Sequence, residues 1–296
     1  MLKQLALVLA IGASTISALV ARNGPGNYFY GLNYGINPEA CPSYEQLKSD
    51  FAKIKKFTNT VRTFSMGTCD EGQLALQAAN ELGMDVYLGM WIDSAATFDA
   101  ELAALEKLVQ NNQNFERVKA IIAGSEVLYR KNTDADTLAA YIHKVGLLAR
   151  PKGIKVTTAD VYYEFPPVVV AELDFLMMNA FPYWEGVTAP QGGTTLIDHF
   201  NSVVEGRSLG KPVSISETGW PSDGGNFGAS VASPENEKLY LSNVLCLTRQ
   251  KGIDMIYFSA FDEPYKAGVE SHWGIMHPNG TLKAPLSLQL LQNPSC

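Results

Sequence analysis

Apolar positions along this chain gather into short dense runs separated by longer amphipathic stretches. The dense runs are Tyr28–Tyr34, Thr60–Phe64, Asp85–Ile92, Lys119–Gly124, Lys155–Asp160, Phe175–Ala180, Pro212–Ser216 and Asp254–Phe261. Their apolar residues are mostly continuous rather than alternating, the pattern of strands covered on both faces in a parallel sheet. Between them, helical spacing predicts helices near 43–56, 70–82, 97–112, 134–150, 165–172, 193–208 and 234–251. The clearest start is Ser233-Pro234-Glu235, with Ser as N-cap, Pro in the first helical position and acid in the first turn. Thr133-Asp134-Ala135-Asp136 resembles a second capping pattern, and Gly153 and Gly252 stand where C-cap glycines belong.

Strands alternating with helices predict an α/β fold, a single-domain (β/α)8 TIM barrel. The alternative, an open doubly wound sheet, normally carries a Gly-rich phosphate loop after its first strand, and Gly31-Leu32-Asn33-Tyr34-Gly35 lacks that spacing. No linker or repeat divides the chain, so residues 22–296 are expected to form one catalytic domain. Residues 1–21 read as a secretory signal peptide: Lys3 leads, Leu5–Ile11 and Ser14–Val20 are apolar, and small residues follow at Ala18 and Ala21. The cut falls within 18–23. A membrane anchor is the competing reading, but the stretch is short and broken by Gly12, Ser14, Thr15 and Ser17.

Composition narrows the partners. With a net charge of −7, 18% charged residues and no Lys/Arg cluster, the chain is not expected to bind nucleic acid or a membrane surface. Four cysteines fit an oxidising compartment. They allow three pairings; the positions favour Cys41–Cys69, both just after strand-like runs, and Cys246–Cys296, which would staple the chain end to a late helix. Neither the cysteines nor His143, His199, His272 and His277 have ligand spacing, so no metal is expected. Asn279-Gly280-Thr281 is an N-glycosylation acceptor pattern.

The chemistry lies at the strand ends. Val213-Ser214-Ile215-Ser216-Glu217-Thr218-Gly219-Trp220-Pro221-Ser222 carries one carboxylate to a loop mouth beside an indole, and Val118 to Arg130 contains a second apolar run ending in Gly124-Ser125-Glu126. A carboxylate supplies charge and an aromatic face accepts the CH-rich side of a pyranose. Glycoside hydrolysis uses two carboxyl groups flanking one bond, one protonated and one ionised. In a barrel all strand ends meet at one rim, which here would also gather Tyr34, Arg62, Tyr129, Tyr183, Trp184, Glu185, Trp220, Glu263 and Lys266. These are candidate substrate-binding residues.

Gly-x-Glu on the fourth strand, Ser216 to Ser222 on the seventh, Phe261-Asp262-Glu263 on the eighth and Glu270-Ser271-His272-Trp273-Gly274 after it resemble glycoside hydrolase family 17, in its fungal cell-wall branch of β-1,3-glucanases and glucanosyltransferases. The resemblance covers essentially the whole mature chain. It implies a retaining barrel enzyme on β-1,3-glucan with Glu217 as nucleophile and Glu126 as general acid/base, and it aligns Glu263, Lys266 and Glu270 with polar positions of the family's site. One position departs: many related glycosidases carry Asn before the acid/base, where this chain has Ser125, whose shorter hydroxyl is expected to reach the sugar 2-OH through water. Arg62 is expected to keep Glu217 charged by proximity. Tyr129, Trp184 and Glu185 are candidates for an acceptor side. A secreted or cell-wall monomer without cofactor is expected, transferring glycosyl groups to another glucan. The alternatives are an endo-β-1,3-glucanase using water and, further off, a non-catalytic glucan-binding wall protein.

Overall fold

The computed structural model describes residues 27–112 and 114–296; the expected leader at 1–21 lies outside the described residues. Eight parallel strands form one sheet: β1 (Gly31–Asn33), β2 (Thr60–Arg62), β3 (Asp85–Met90), β4 (Val118–Ser125), β5 (Lys155–Val161), β6 (Leu176–Asn179), β7 (Val213–Glu217) and β10 (Ile256–Tyr257). Their order is β10-β1-β2-β3-β4-β5-β6-β7, so each strand of β1 to β7 lies beside the next in sequence. The ring closes where Ile215 pairs in parallel with Met255, the Ile215 N–H donating to the Asp254 carbonyl at 2.9 Å. This is the expected (β/α)8 barrel. An antiparallel hairpin, β8 (Asn226–Phe227) and β9 (Ser230–Val231), follows β7 and was not foreseen in the hydrophobic pattern, being too short to show periodicity.

Around the barrel lie α1 (Tyr44–Ile54), α2 (Glu71–Leu82), α3 (Ala95–Asn111), α4 (Ala135–Ala149), α5 (Pro167–Glu172), α6 (Ala189–Gly206) and α7 (Pro234–Lys251), with a short α8 (Leu288–Gln292) near the chain end. Side-chain oxygens satisfy the free N–H groups at their starts: Ser43 accepts from Gln46, Asp134 from Thr137 and Ser233 from Asn236, while Ser94 and Thr97 form a reciprocal capping box. Helix α6 begins four residues ahead of its expected start because Thr188 and Gln191 cap it before Gly192 and Gly193. Those glycines weaken helix propensity, yet here they permit close packing: a Cβ on Gly192 would stand 2.7 Å from the Tyr240 ring, and one on Gly193 would overlap the Asn243 side chain.

Two apolar layers result. The larger lies between strands and helices. A smaller cluster of Tyr87, Ala120, Ile122, Ala159, Met177 and Ile256 comes from strands alone and fills the barrel interior. Cys41 bonds to Cys69 and Cys246 to Cys296, the latter joining α7 to the last residue. That bond closes a separation of 50 residues. Replacing both partners, Cys246→Ser with Cys296→Ser, should lower the unfolding free energy by about 2–4 kcal/mol through the added freedom of the unfolded chain. Chemical denaturation of the two forms measures it; equal midpoints would refute it.

Candidate active site

Both glutamates stand where the sheet loses its regular register. Along β4 and β5 the pairing slips between Ile122 and Ser125, and along β6 and β7 it slips between Met178 and Asn179. Such bulges re-aim a side chain that regular alternation would point elsewhere. The slip at β4 is accompanied by Gly124 at φ +88° and Glu126 at φ +57°. The first angle suits glycine; the second is rare for a bulky side chain and is held by its surroundings. The Glu126 N–H donates to the Ala159 carbonyl at 2.8 Å, and buried Asp160 accepts from the Leu128 N–H at 2.9 Å, fixing the turn that follows. Burial pushes the Asp160 carboxyl up to about 7, with the Leu128 and Val161 N–H groups pulling against it.

The two carboxyl groups share a donor. Asn179 Nδ2 lies 3.1 Å from Glu126 Oε1 and 3.0 Å from Glu217 Oε1. Those contacts cap the separation of the two oxygens at about 6 Å, nearer the spacing of retaining glycosidases, about 5–5.5 Å, than that of inverting ones. Their surroundings otherwise differ. Glu217 Oε1 also accepts from Arg62 Nη1 at 2.5 Å and Ser125 Oγ at 3.1 Å. Arg62 is itself buried and donates to Asn33 Oδ1 at 3.0 Å, while the Asn33 amide donates to the carbonyls of Ser216, Tyr257 and Ile256. Glu126 instead meets Arg130, its Oε2 2.9 Å from Nη2, on a side chain open enough for water to screen it. Burial, then the charge of Glu217, raises the Glu126 carboxyl above its ordinary range, while Asn179 and Arg130 pull it down.

These groups open into a cleft of about 940 Å³, toward the upper end for ligand sites, about 300–1,000 Å³. Of the expected binding residues, Ser125, Tyr129, Trp184, Glu185, Glu263, Lys266 and Glu270 line it. Lys266 pairs with Glu263 at 2.5 Å. Burial raises the Glu270 carboxyl, and Lys266 opposes that shift. The Ser125 hydroxyl, expected to reach a sugar through water, is engaged by Glu217 and Arg62. Four expectations need correction. Arg62 is buried behind Glu217, its guanidinium taken up by Glu217 and Asn33 rather than facing the cleft. Tyr34 packs edge-on against Phe51 beneath α1 with its hydroxyl on Asp50. Tyr183 is buried and donates to the Gly225 carbonyl. Trp220 is buried and its Nε1 donates to the Val231 carbonyl at 2.9 Å. None of the four lines the cleft. Strand-end position places a residue near the rim but does not say which way its side chain turns.

Residues outside the expected binding set complete the cleft. Asn179 is a lone polar residue in Leu176-Met177-Met178-Asn179, and its position at the strand's C-terminal end was the available signal. Trp91 lies under the Arg130 guanidinium, Tyr163 meets Tyr129 edge-on, and Phe227 of the hairpin meets Trp184 edge-on. Trp273 lines the same wall, with its ring 6.1 Å from that of Trp184. Among the described residues no group of three or more His, Cys, Asp or Glu side chains is arranged to hold a metal, and no helix is long and apolar enough to cross a membrane.

The model of the BtgE/BtgC glycoside hydrolase domain matches residues 31–274. A glucan 1,3-beta-glucosidase of Arthroderma benhamiae is 32% identical over 291 residues, covering 91% of this chain and 92% of that protein. Among solved structures, a glycoside hydrolase family 17 beta-1,3-glucanosyltransferase from Rhizomucor miehei is 56% identical, covers 88% of this chain and 98% of its own, and superposes with a TM-score of 0.86. An active-site mutant of the Rhizomucor miehei enzyme in complex with laminaritriose is 55% identical, covers 89% and 98% of the two chains, and has a TM-score of 0.87.

Removing only the guanidinium should strand a buried carboxylate. Arg62→Met should destabilise the fold by about 3–5 kcal/mol, and Arg62→Met with Glu217→Gln should recover most of that loss. Additive losses in a double-mutant cycle by denaturant unfolding would refute the coupling.

Proposed function

The chain belongs to the BtgE/BtgC glycoside hydrolases of glycoside hydrolase family 17, and from this we propose that it is a retaining enzyme that cleaves β-1,3-glucan and transfers the glycosyl part to another glucan. The observation that carries the reading is the shared Asn179 amide, which keeps Glu126 and Glu217 close while Arg62 attends only one of them. Glu217 then acts as nucleophile and Glu126 as acid and base.

In the first step a Glu217 oxygen attacks the anomeric carbon, and the bond to the leaving glycosidic oxygen breaks as that oxygen takes the Glu126 proton. The product is a glycosyl ester on Glu217 and a shortened glucan. In the second step an acceptor hydroxyl attacks the same carbon, its proton passes to Glu126, and the electron pair of the ester bond returns to Glu217. Asn179 donates to both carboxyls and so remains bonded as charge moves between them. The aromatic-walled cleft suits the CH-rich faces of a polysaccharide, and Tyr129, Trp184 and Glu185 form the acceptor side. Water in place of the sugar hydroxyl gives a plain hydrolase; the Arthroderma benhamiae relative, a glucan 1,3-beta-glucosidase, supports that second reading. Two disulfides and the expected leader support a secreted or cell-wall location, and a monomer is the proposed state.

A β-1,3-linked oligosaccharide of defined length distinguishes the outcomes. Products longer than the starting material are expected; shorter products alone, at every substrate concentration, would overturn transfer and leave hydrolysis. Glu126→Gln should lower cleavage by about 100- to 10,000-fold, and Glu217→Gln at least as severely. Turnover that survives Glu217→Gln would remove its role as nucleophile, and no turnover in the unaltered protein would favour a binding protein.

The acid/base must be protonated for the first step, so cleavage falls as pH rises through the Glu126 pKa. Since burial and Glu217 raise that pKa, the alkaline limb should lie above the ordinary glutamate value of about 4.3. Arg130 favours the charged form, so Arg130→Gln should move that limb upward. A downward shift or none in the kcat/KM profile would contradict the assignment.

A further inference from the structure

Behind the cleft wall one side chain joins two residues that line the cleft but come from different strand ends. His199 projects from α6 and lies only 17% exposed. Its Nε2 is 2.8 Å from both carboxylate oxygens of Glu185, which follows β6. The flat of its ring stacks on Tyr162, which follows β5, with centroids 3.7 Å apart and planes 9° from parallel. Glu185 and Tyr162 both line the cleft; His199 does not.

We propose that His199 is a positioning residue for the acceptor side, holding Glu185 and Tyr162 in one fixed relation and so setting how often the glycosyl-enzyme is taken by a sugar rather than by water. The inference rests on the transfer reading above. The Nε2 proton shared between both oxygens fixes the plane of the Glu185 carboxylate where it lines the cleft. The stack fixes the Tyr162 ring at the same time, so that one side chain registers a hydrogen-bond acceptor against an apolar face. A sugar needs both contacts together to bring one hydroxyl to the anomeric carbon, whereas water needs neither. A loosened Glu185 would therefore slow transfer while leaving formation of the glycosyl ester and its hydrolysis largely as they were. The residue acts through its neighbours, as supporting contacts do when they hold a binding group within a fraction of an ångström.

The test uses the full mature protein and a β-1,3-linked glucopentaose, measuring donor consumption and the ratio of elongated products to hydrolytic ends. His199→Phe keeps a flat ring on Tyr162 but cannot donate; the ratio should fall about tenfold, the effect of one lost hydrogen bond to a charged group, with donor consumption little changed. His199→Gln retains an N–H donor but gives up the stack, so its ratio should fall clearly less than that of His199→Phe. An unchanged ratio in His199→Phe, or an equal fall in both variants, overturns the role. A binding measurement covers the case in which His199→Phe does not fold. In Glu217→Gln protein the His199 ring nitrogen, identified by its absence in the His199→Gln form, should shift in NMR spectra when the pentaose is added; no shift overturns the role. Absence of elongated products from the unaltered enzyme would overturn the transfer reading and this role with it, whereas a transferring enzyme indifferent to His199→Phe overturns this role alone.

Discussion

Two carboxyl groups in one half-dry pocket repel each other unless their surroundings treat them unequally. That requirement organises the centre of this molecule. Arg62 lies 2.5 Å from Glu217, and burying a guanidinium obliges the protein to supply acceptors for it. Asn33 is one of those acceptors, and its own amide is satisfied by the carbonyls of Ser216, Ile256 and Tyr257. The inequality between two glutamates thus reaches back through β2, β1, β7 and β10. A closed barrel supplies this economically, because every strand contributes one end to the same rim. The register slips beside Glu126 and Glu217 are local departures from the repeat at the places where a regular pleat would aim the side chains wrongly.

The barrel was legible because its strands are buried on both faces, which turns them into continuous apolar runs spaced by helices of one period. The glutamates were legible because a charged residue ending such a run has few structural uses. Direction at the strand ends was not legible. Tyr34, Tyr183 and Trp220 sit as near the rim in sequence as Tyr129 and Trp184, yet the first three turn into packed layers. A single residue of register decides that, and bulges, which follow no simple pattern, shift it. Asn179 was missed for a related reason: in an apolar strand one amide looks incidental until the closed barrel brings two carboxyls, from the ends of β4 and β7, onto it.

The residues that turned inward still serve the cleft from one layer behind. The Tyr183 hydroxyl holds the Gly225 carbonyl and the Trp220 indole holds the Val231 carbonyl, so both tie down the segment that carries the β8–β9 hairpin. That hairpin presents Phe227 edge-on to Trp184, which itself leans toward Trp273. A conspicuous aromatic in a site motif can therefore be the support of a binding surface rather than the surface. The distinction matters for mutagenesis: removing a supporting ring displaces several contacts at once, whereas removing a surface ring deletes one.

The same layering bears on the choice between sugar and water. In the proposed mechanism attack by either hydroxyl uses the same ester and the same base, so Glu126 and Glu217 would not discriminate between them. Water has the advantage of concentration; a sugar can overcome it only if the cleft holds the hydroxyl in line at little further entropic cost. Tyr129 and Trp184 are exposed on one side, and any ordering of them on binding would consume part of the affinity they provide. Contacts made behind them reduce that cost before the sugar arrives. Selectivity for an acceptor is in this sense a property of how firmly the wall is held, and the aromatic and ionic contacts at the back of the cleft belong to the chemistry as much as the groups that face the substrate.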